Sequence, residues 1–246
     1  MLRSISKNFV KYWLKICVKL FIWRHKPQII AVTGTTNKYA VKDEIYNVLK
    51  EKYNVRTSPR NFNSDIGVPL SVLNLPVGYH YFTKWVIILL KALAKPFFSK
   101  SIPEIIVLEL AIDKPKDMDY LLTLIKPKIA VVTNISEQHL ESFEGLDNIA
   151  HEYLKLAKSV GSNDLVILNA DDPRLKDVKD IKAKVWYYGI ENECEFRALD
   201  VKENESGEGF RFDNTEVKIN KFGKHYIYAK LASLAVKKFY DSVVVP

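Results

Sequence analysis

The chain has 246 residues, 48% of them hydrophobic and 27% charged, with nine glycines and ten prolines. That composition supports a buried core in one or two domains and excludes a collagen-like or disordered chain; two cysteines, Cys17 and Cys194, exclude a disulfide framework and point to a reducing compartment. Seven of the 37 Lys and Arg side chains lie in residues 1–26 beside no acid, leaving 30 basic against 29 acidic groups elsewhere, which excludes nucleic acid as a partner of the body of the fold.

Residues 5–24 (ISKNFVKYWLKICVKLFIWR) place Lys7, Lys11, Lys15 and Lys19 at i, i+4 spacing, with an apolar face opposite. The pattern predicts a basic amphipathic helix over 1–26. Four interior lysines exclude a membrane-spanning helix, and there is no small-residue cleavage site after an unbroken apolar run to mark a signal peptide. Two destinations are open for the apolar face: an anionic membrane surface, with tryptophans at the interface, or the protein's own domain or a partner. Trp85–Phe98 (WVIILLKALAKPFF), interrupted by Lys91, Lys95 and Pro96, predicts a short, partly buried helix.

From Pro27 the texture changes. Gln28–Thr33 (QIIAVT), Ile105–Leu110 (IIVLEL), Lys128–Thr133 (KIAVVT), Leu165–Asn169 (LVILN) and Lys184–Tyr188 (KVWYY) are short apolar, β-branched runs, each predicting a buried strand. Between them, Lys42–Lys52, Asp117–Ile125 and about Leu146–Val160 carry helical spacing. Strands alternating with helices predict an α/β fold, a mostly parallel sheet flanked by helices. Beyond Gly189, the runs Phe196–Val201, Gly209–Phe212 and Glu216–Ile219 predict a small antiparallel flap at about 190–220, and Tyr226–Tyr240 a closing helix.

In such a sheet ligands bind at the carboxyl ends of the strands. Each strand end here carries a polar cluster: Gly34-Thr35-Thr36-Asn37-Lys38 after the first, then Glu109, then Asn134 and His139, then Asn169 with Asp171 and Asp172. The first is similar to a phosphate loop, where backbone N–H groups and a helix N-terminus cradle phosphates and a lysine reaches the terminal ones. A carboxylate at the end of a buried strand has little apolar reason to be there, which makes Glu109 a functional candidate. Asp171 and Asp172 before Pro173 suit a turn and helix cap on any fold.

Taken together, TGTTNKYAVKDE (33–44), NFNSDIGVPLSVL (61–73), LELAIDKPKDMDYLL (108–122), KPKIAVVTNISEQHLESF (126–143), LNADDP (168–173) and FGKHYIYAKLASLAV (222–236) resemble, in order, the signatures of the Mur ligases. The resemblance runs from Pro27 to Tyr240 and is to the central, ATP-binding domain, most of all that of the D-alanyl-D-alanine-adding members. It implies a P-loop-like fold and an ATP-dependent ligase that activates a carboxylate as an acyl phosphate, from which an amine displaces phosphate to make an amide. By resemblance, Lys38, Glu109 and His139 are the catalytic residues. Gly34, Thr35, Thr36, Asn37, Lys38, Tyr39, Asn134 and His225 would hold ATP, and Glu109 and His139 would hold Mg²⁺.

Several positions depart from that pattern. Asn37 replaces the loop glycine, Tyr39 the metal-binding Thr or Ser, and Tyr153 the lysine that is carbamylated to bind a second Mg²⁺. Tyr226 and Ala229 replace two asparagines near the base. The family's usual N- and C-terminal domains have no counterpart in the 246 residues, so 27–246 is expected to be either a piece of a longer ligase or a central domain on its own. The expected partners are a nucleotide, a wall-precursor substrate or a partner chain supplying the C-terminal domain, and an anionic membrane surface met through residues 1–26. The expected location is the cytoplasm, peripheral to the inner membrane face. Two functions remain open: a peptidoglycan-precursor ligase module, impaired or partner-dependent, or a pseudoenzyme kept as a binding or scaffold module.

Overall fold

The computed structural model describes residues 2–79, 81–137 and 140–243. Its centre is a seven-stranded, wholly parallel sheet: β1 (Gln28–Thr33), β2 (Val55–Thr57), β3 (Ile105–Glu109), β4 (Ile129–Val132), β5 (Leu165–Asn169), β6 (Lys184–Gly189) and β7 (Phe196–Arg197), in the order β2-β3-β1-β4-β5-β6-β7. The apolar runs are continuous because both faces of the sheet are covered. Ile29, Ala31, Ile106, Leu108, Ala130, Val132, Val166 and Leu168 face one core, and their alternates Ile30, Val32, Ile105, Val107, Ile129, Val131, Leu165 and Ile167 face the other.

The first core lies under α1 (Leu2–His25), α3 (Gly67–Leu73), α4 (Phe82–Phe98), α5 (Asp117–Leu122) and α7 (Leu146–Lys158). The second lies under α2 (Lys38–Leu49) and α8 (Lys224–Val243), which pack on each other. A short α6 (Leu140–Phe143) precedes α7. A three-stranded antiparallel sheet, β8 (Leu199–Asn204), β9 (Gly207–Phe212) and β10 (Thr215–Ile219), forms the flap, and Phe212 stacks on Phe196 with ring centroids 5.6 Å apart.

The α/β architecture and the flap are as the sequence predicts. Three details differ. The run Phe196–Val201 divides, with Phe196–Arg197 added to the main sheet and Leu199 onward opening the flap. The division falls at buried Ala198, whose N–H is taken by Gly189 O at 3.0 Å. The helix expected from Lys42 starts at Lys38. The edge strand β2 and the helices α3 and α6 carry too few residues to show a period.

The amphipathic N-terminal helix is present, and one stripe of its apolar surface is docked on the domain. Val10, Leu14, Cys17, Val18 and Phe21 are buried against the first core. Trp13 Nε1 donates to Leu89 O at 3.1 Å, and Lys7 and Lys11 pair with Asp65 at 3.4 and 3.1 Å. Each fully buried side chain of this kind stabilises the docked helix by about 1.5–3 kcal/mol. Among the described residues no helix is long and apolar enough to cross a membrane.

Candidate functional site

The carboxyl ends of β1, β3, β4 and β5 lie side by side, so their polar loops converge. Gly34 leaves β1 with φ of 127°, and a Cβ there would stand 2.2 Å from Thr133 Oγ1 and 2.9 Å from Asn134 O. Only glycine permits both that backbone geometry and that approach. The loop is then stitched to the end of β4. Thr35 N–H donates to Asn134 O (2.8 Å), Thr36 N–H and Oγ1 to Asn134 Oδ1 (3.0 and 3.1 Å), and Thr133 Oγ1 to Thr36 O (2.6 Å).

Asn37, at the N-cap of α2, takes the left-handed conformation (φ 63°) that asparagine tolerates better than other non-glycine residues. Its side chain does not cap the helix. Instead Nδ2 donates to His225 O at 2.7 Å, tying the loop to the start of α8. The first-turn N–H groups of α2 therefore have no side-chain cap, and they form the electropositive end of a helix.

Lys38 folds back on its own loop, donating to Gly34 O (2.7 Å) and Thr35 O (2.9 Å). Burial lowers its pKa, and the carboxylates of Glu109 and Asp113 oppose that shift. Glu109 is buried at the end of β3, where Oε1 accepts from Asn63 Nδ2 at 2.7 Å. Lys42, one turn after Lys38, is 1% exposed and donates to Ser58 O at 2.7 Å, 3.8 Å from Asp43. Burial lowers its pKa too, against the pull of Asp43 and Glu109. Two ammonium groups thus share the field of one buried carboxylate.

On the other side of the loop a cavity of about 330 Å³ is bounded by Thr36, Asn37, Asn134, Asn169 and the start of α8. Asp171 organises its rim by accepting from the N–H of Ile190 (2.6 Å) and Asn192 (2.8 Å) and from Tyr228 OH (2.8 Å). Burial alone would raise its pKa. The hydrogen bonds from the Ile190 N–H, from Asn192 and from the Glu191 N–H outweigh burial and hold it at about 2. Asp172 caps the neighbouring turn, accepting from Ile135 and Arg174 N–H.

Residues 90–237 match the family described as the Mur ligase middle domain. The chain belongs to that family. It is 27% identical over 232 residues to the UDP-N-acetylmuramoyl-tripeptide–D-alanyl-D-alanine ligase of Bacillus subtilis, covering 92% of this chain and 44% of that protein. It is 24% identical over 216 residues to the Escherichia coli ligase of the same name, covering 85% and 42%. Among solved structures, MurF from Thermotoga maritima in complex with ADP superposes with a TM-score of 0.75 at 23% identity, covering 94% of this chain and 49% of that one. MurF from Acinetobacter baumannii gives 0.75 at 16%, covering 93% and 46%. The chain spans less than half the length of these curated relatives.

This Mur ligase middle domain brings Gly34, Thr35, Thr36, Asn37, Lys38, Asn134 and His225 around one loop, with Glu109 beyond Lys38; His139 lies outside the described residues. Tyr39 is exposed in the first turn of α2. Its ring lies between Lys42 Nζ (4.7 Å) and Arg60 Cζ (5.3 Å), and the Asp43 carboxylate one turn on raises its pKa. Tyr153 is 1% exposed, packed in the first core, and burial pushes its pKa up to about 12 against hydrogen bonding from Thr35. Ala229, on α8, is wholly buried in the second core.

The cavity, its amide-bearing rim and the uncapped helix end fit a nucleotide. Of the two residues expected to hold Mg²⁺, Glu109 closes β3 and His139 lies outside the described residues. Among the described residues no three metal-ligating side chains converge, and Glu109 already serves Asn63 beside two lysines. Sequence reasoning missed Lys42, Asn63 and Tyr228. The spacing of Lys38 and Lys42 on one helix face was the one available signal.

Proposed function

We propose that this chain is the nucleotide-binding module of an ATP-dependent peptidoglycan-precursor ligase of the D-alanyl-D-alanine-adding kind, catalytically impaired on its own or completed by a partner chain. Its place is the cytoplasm, at the inner membrane face. In the reaction, ATP converts a carboxylate to an acyl phosphate and an amine then displaces inorganic phosphate. The observation that carries the reading is the pairing of the Asn134-braced loop and its cavity with Lys38 and Glu109 on the loop's other side. Lys38 would exchange two backbone carbonyls for phosphate oxygens, and the α2 N-terminus would face the same charge.

The impairment rests on Tyr39 and Tyr153. One is a phenol beside Asp43 and the other a ring sealed in the core, and neither offers Mg²⁺ a carboxylate-like oxygen. The same burial of Tyr153 favours the second reading, a pseudoenzyme retained as a binding module.

Calorimetric titration with ATP, with and without Mg²⁺, tests the proposal. Binding weaker than micromolar and nearly indifferent to Mg²⁺ is expected. The double variant Asn37→Gly/Tyr39→Thr should tighten Mg²⁺-dependent binding at least about tenfold, or ~1.4 kcal/mol. Micromolar, Mg²⁺-dependent affinity in the wild type would overturn the impairment. No detectable adenine-nucleotide binding in either protein would overturn the module itself.

A further inference from the structure

Two stretches of the chain contain no acid. Residues 1–26 hold seven Lys and Arg, and residues 66–103 hold Lys84, Lys91, Lys95 and Lys100. Together they account for the whole positive excess, since the remainder carries 26 basic against 29 acidic groups. The fold brings these two stretches together. α1 and α4 run side by side in the same direction, joined by Trp13 to Leu89 O, His25 Nε2 to Pro96 O (2.8 Å) and Arg24 over the Phe97 ring (5.6 Å).

The outer face of this pair is apolar and open to solvent. On α4, Ile87, Leu90 and Phe98 are 52%, 64% and 80% exposed, while Ile88, Ala92 and Pro96 turn inward. On α1, the buried face leaves a second stripe outside, Phe9, Tyr12, Ile16 and Trp23, the last 71% exposed. Phe9 and Val86 line one shallow apolar groove between the helices, so the stripes are continuous. Lys7 stands at the edge of that groove, and it, Lys11 and Lys15 are engaged on the domain side. They turn to Asp65, to the Tyr120 ring and to Thr123 on the domain.

Beside this face lies a cavity of about 550 Å³ that holds Arg56, Lys91, Lys95 and Lys100, with Phe98 at its edge. No acid lines it. Glu104, the next acid along the chain, is committed to the Asn54 N–H at 2.7 Å. Arg56 is itself anchored to Val72 O and Ser101 O, which fixes one cation in the wall. Burial lowers the pKa of Lys95, and Arg56 and Lys91 lower it further, as for cations gathered without a counter-charge.

We propose that the α1–α4 face is a docking surface for an anionic lipid bilayer, with the outer side of α4 at the acyl boundary and the Arg56–Lys91–Lys95–Lys100 cavity taking a lipid phosphate. Nucleic acid would match the cations but not the aliphatic face, and a protein partner would have to set a cluster of acids beside an apolar patch. A lipid has both parts, an anionic head joined to an apolar chain, at the spacing that Phe98 and Lys95 span along one helix.

Co-sedimentation of the full chain with vesicles of phosphatidylcholine containing one-third phosphatidylglycerol tests this, with pure phosphatidylcholine as reference. Binding is expected only to the anionic vesicles, and it should fall with salt as screening shortens toward a Debye length of about 10 Å at 0.1 M. Lys91→Glu/Lys100→Glu should weaken it by at least about tenfold, and Leu90→Ser/Phe98→Ser by a similar factor with less salt dependence. The charge-matched control Lys202→Glu/Lys218→Glu, on the flap, should bind as the wild type does. All six positions are exposed, so melting temperatures should hold. Brominated acyl chains should also quench tryptophan fluorescence of the unmodified protein, a readout that needs no substitution. Wild-type protein left in the supernatant at low salt, equal loss in the flap control, no loss in the apolar variant, or no quenching would each overturn the proposal. So would binding to duplex DNA that the Lys91/Lys100 variant abolishes and the apolar variant keeps.

Discussion

Asp171 shows how much of a site's rim can rest on one side chain. Its carboxylate gathers backbone N–H groups from the turn after β6 and the hydroxyl of Tyr228, and so joins that turn to α8. A carboxyl held at about 2 in the folded protein, against 3.8 otherwise, contributes stability that is complete above pH 3.8 and is lost as pH falls through 2. Asp171→Asn should therefore destabilise the protein at neutral pH by about 1–2 kcal/mol after allowance for solvent screening. The gap from wild type should close between those two pH values, as urea midpoints measured across the acid range would show; a gap independent of pH would deny the carboxylate its role. The sequence suggests only a turn and cap at Asp171, because its partners lie about 20 and 57 residues away. Lys38 and Glu109 are legible, since each ends or follows a buried strand. Lys42 is not. A lysine at i+4 on a helix reads as a solvated face, and its burial comes from segment 58–63, which has no period to announce it.

At the scale of elements, periodicity discloses that residues 2–25 form a helix but not what the helix meets. A 3.6-residue pattern is the same whether the apolar face meets lipid or protein. The outcome is divided: one stripe is docked and an adjacent one stays outside. Leu14→Ala and Phe21→Ala, both at fully buried positions, should each cost about 2–5 kcal/mol through lost burial and residual cavity. Ile16→Ala, 44% exposed, should stay within about 0.5 kcal/mol of wild type. Thermal unfolding of the three variants checks this, and equal, small shifts in all of them would mean that α1 is not docked in solution. The strands are the easiest elements to foresee because a sheet covered on both faces demands uninterrupted apolar runs. The flap is foreseen less exactly, since its first strand begins only after the chain has already paired two residues with β6.

At the scale of the molecule, the two cores are not independent bodies. β1, β3, β4 and β5 each send alternate residues to opposite sides, so neither core can form without strands that the other also requires. The candidate site sits on that shared edge. Its loop leaves β1, its brace is the end of β4, its carboxylate ends β3, and its clamp reaches α8 from the second core. Loss of either core should therefore dismantle the site and the rest of the fold in one step. The tryptophans make this measurable, because Trp13 and Trp85 pack on the first core and Trp186 on the second. Trp186→Phe leaves reporters on α1 and α4, and Trp13→Phe/Trp23→Phe/Trp85→Phe leaves Trp186 alone, against Phe196 and Phe239. In urea, the fluorescence transition of each variant should coincide with its own far-ultraviolet circular dichroism, as a two-state transition requires. Separated transitions, with the α1–α4 reporters moving first, would show that the first core opens while the sheet and α8 remain folded.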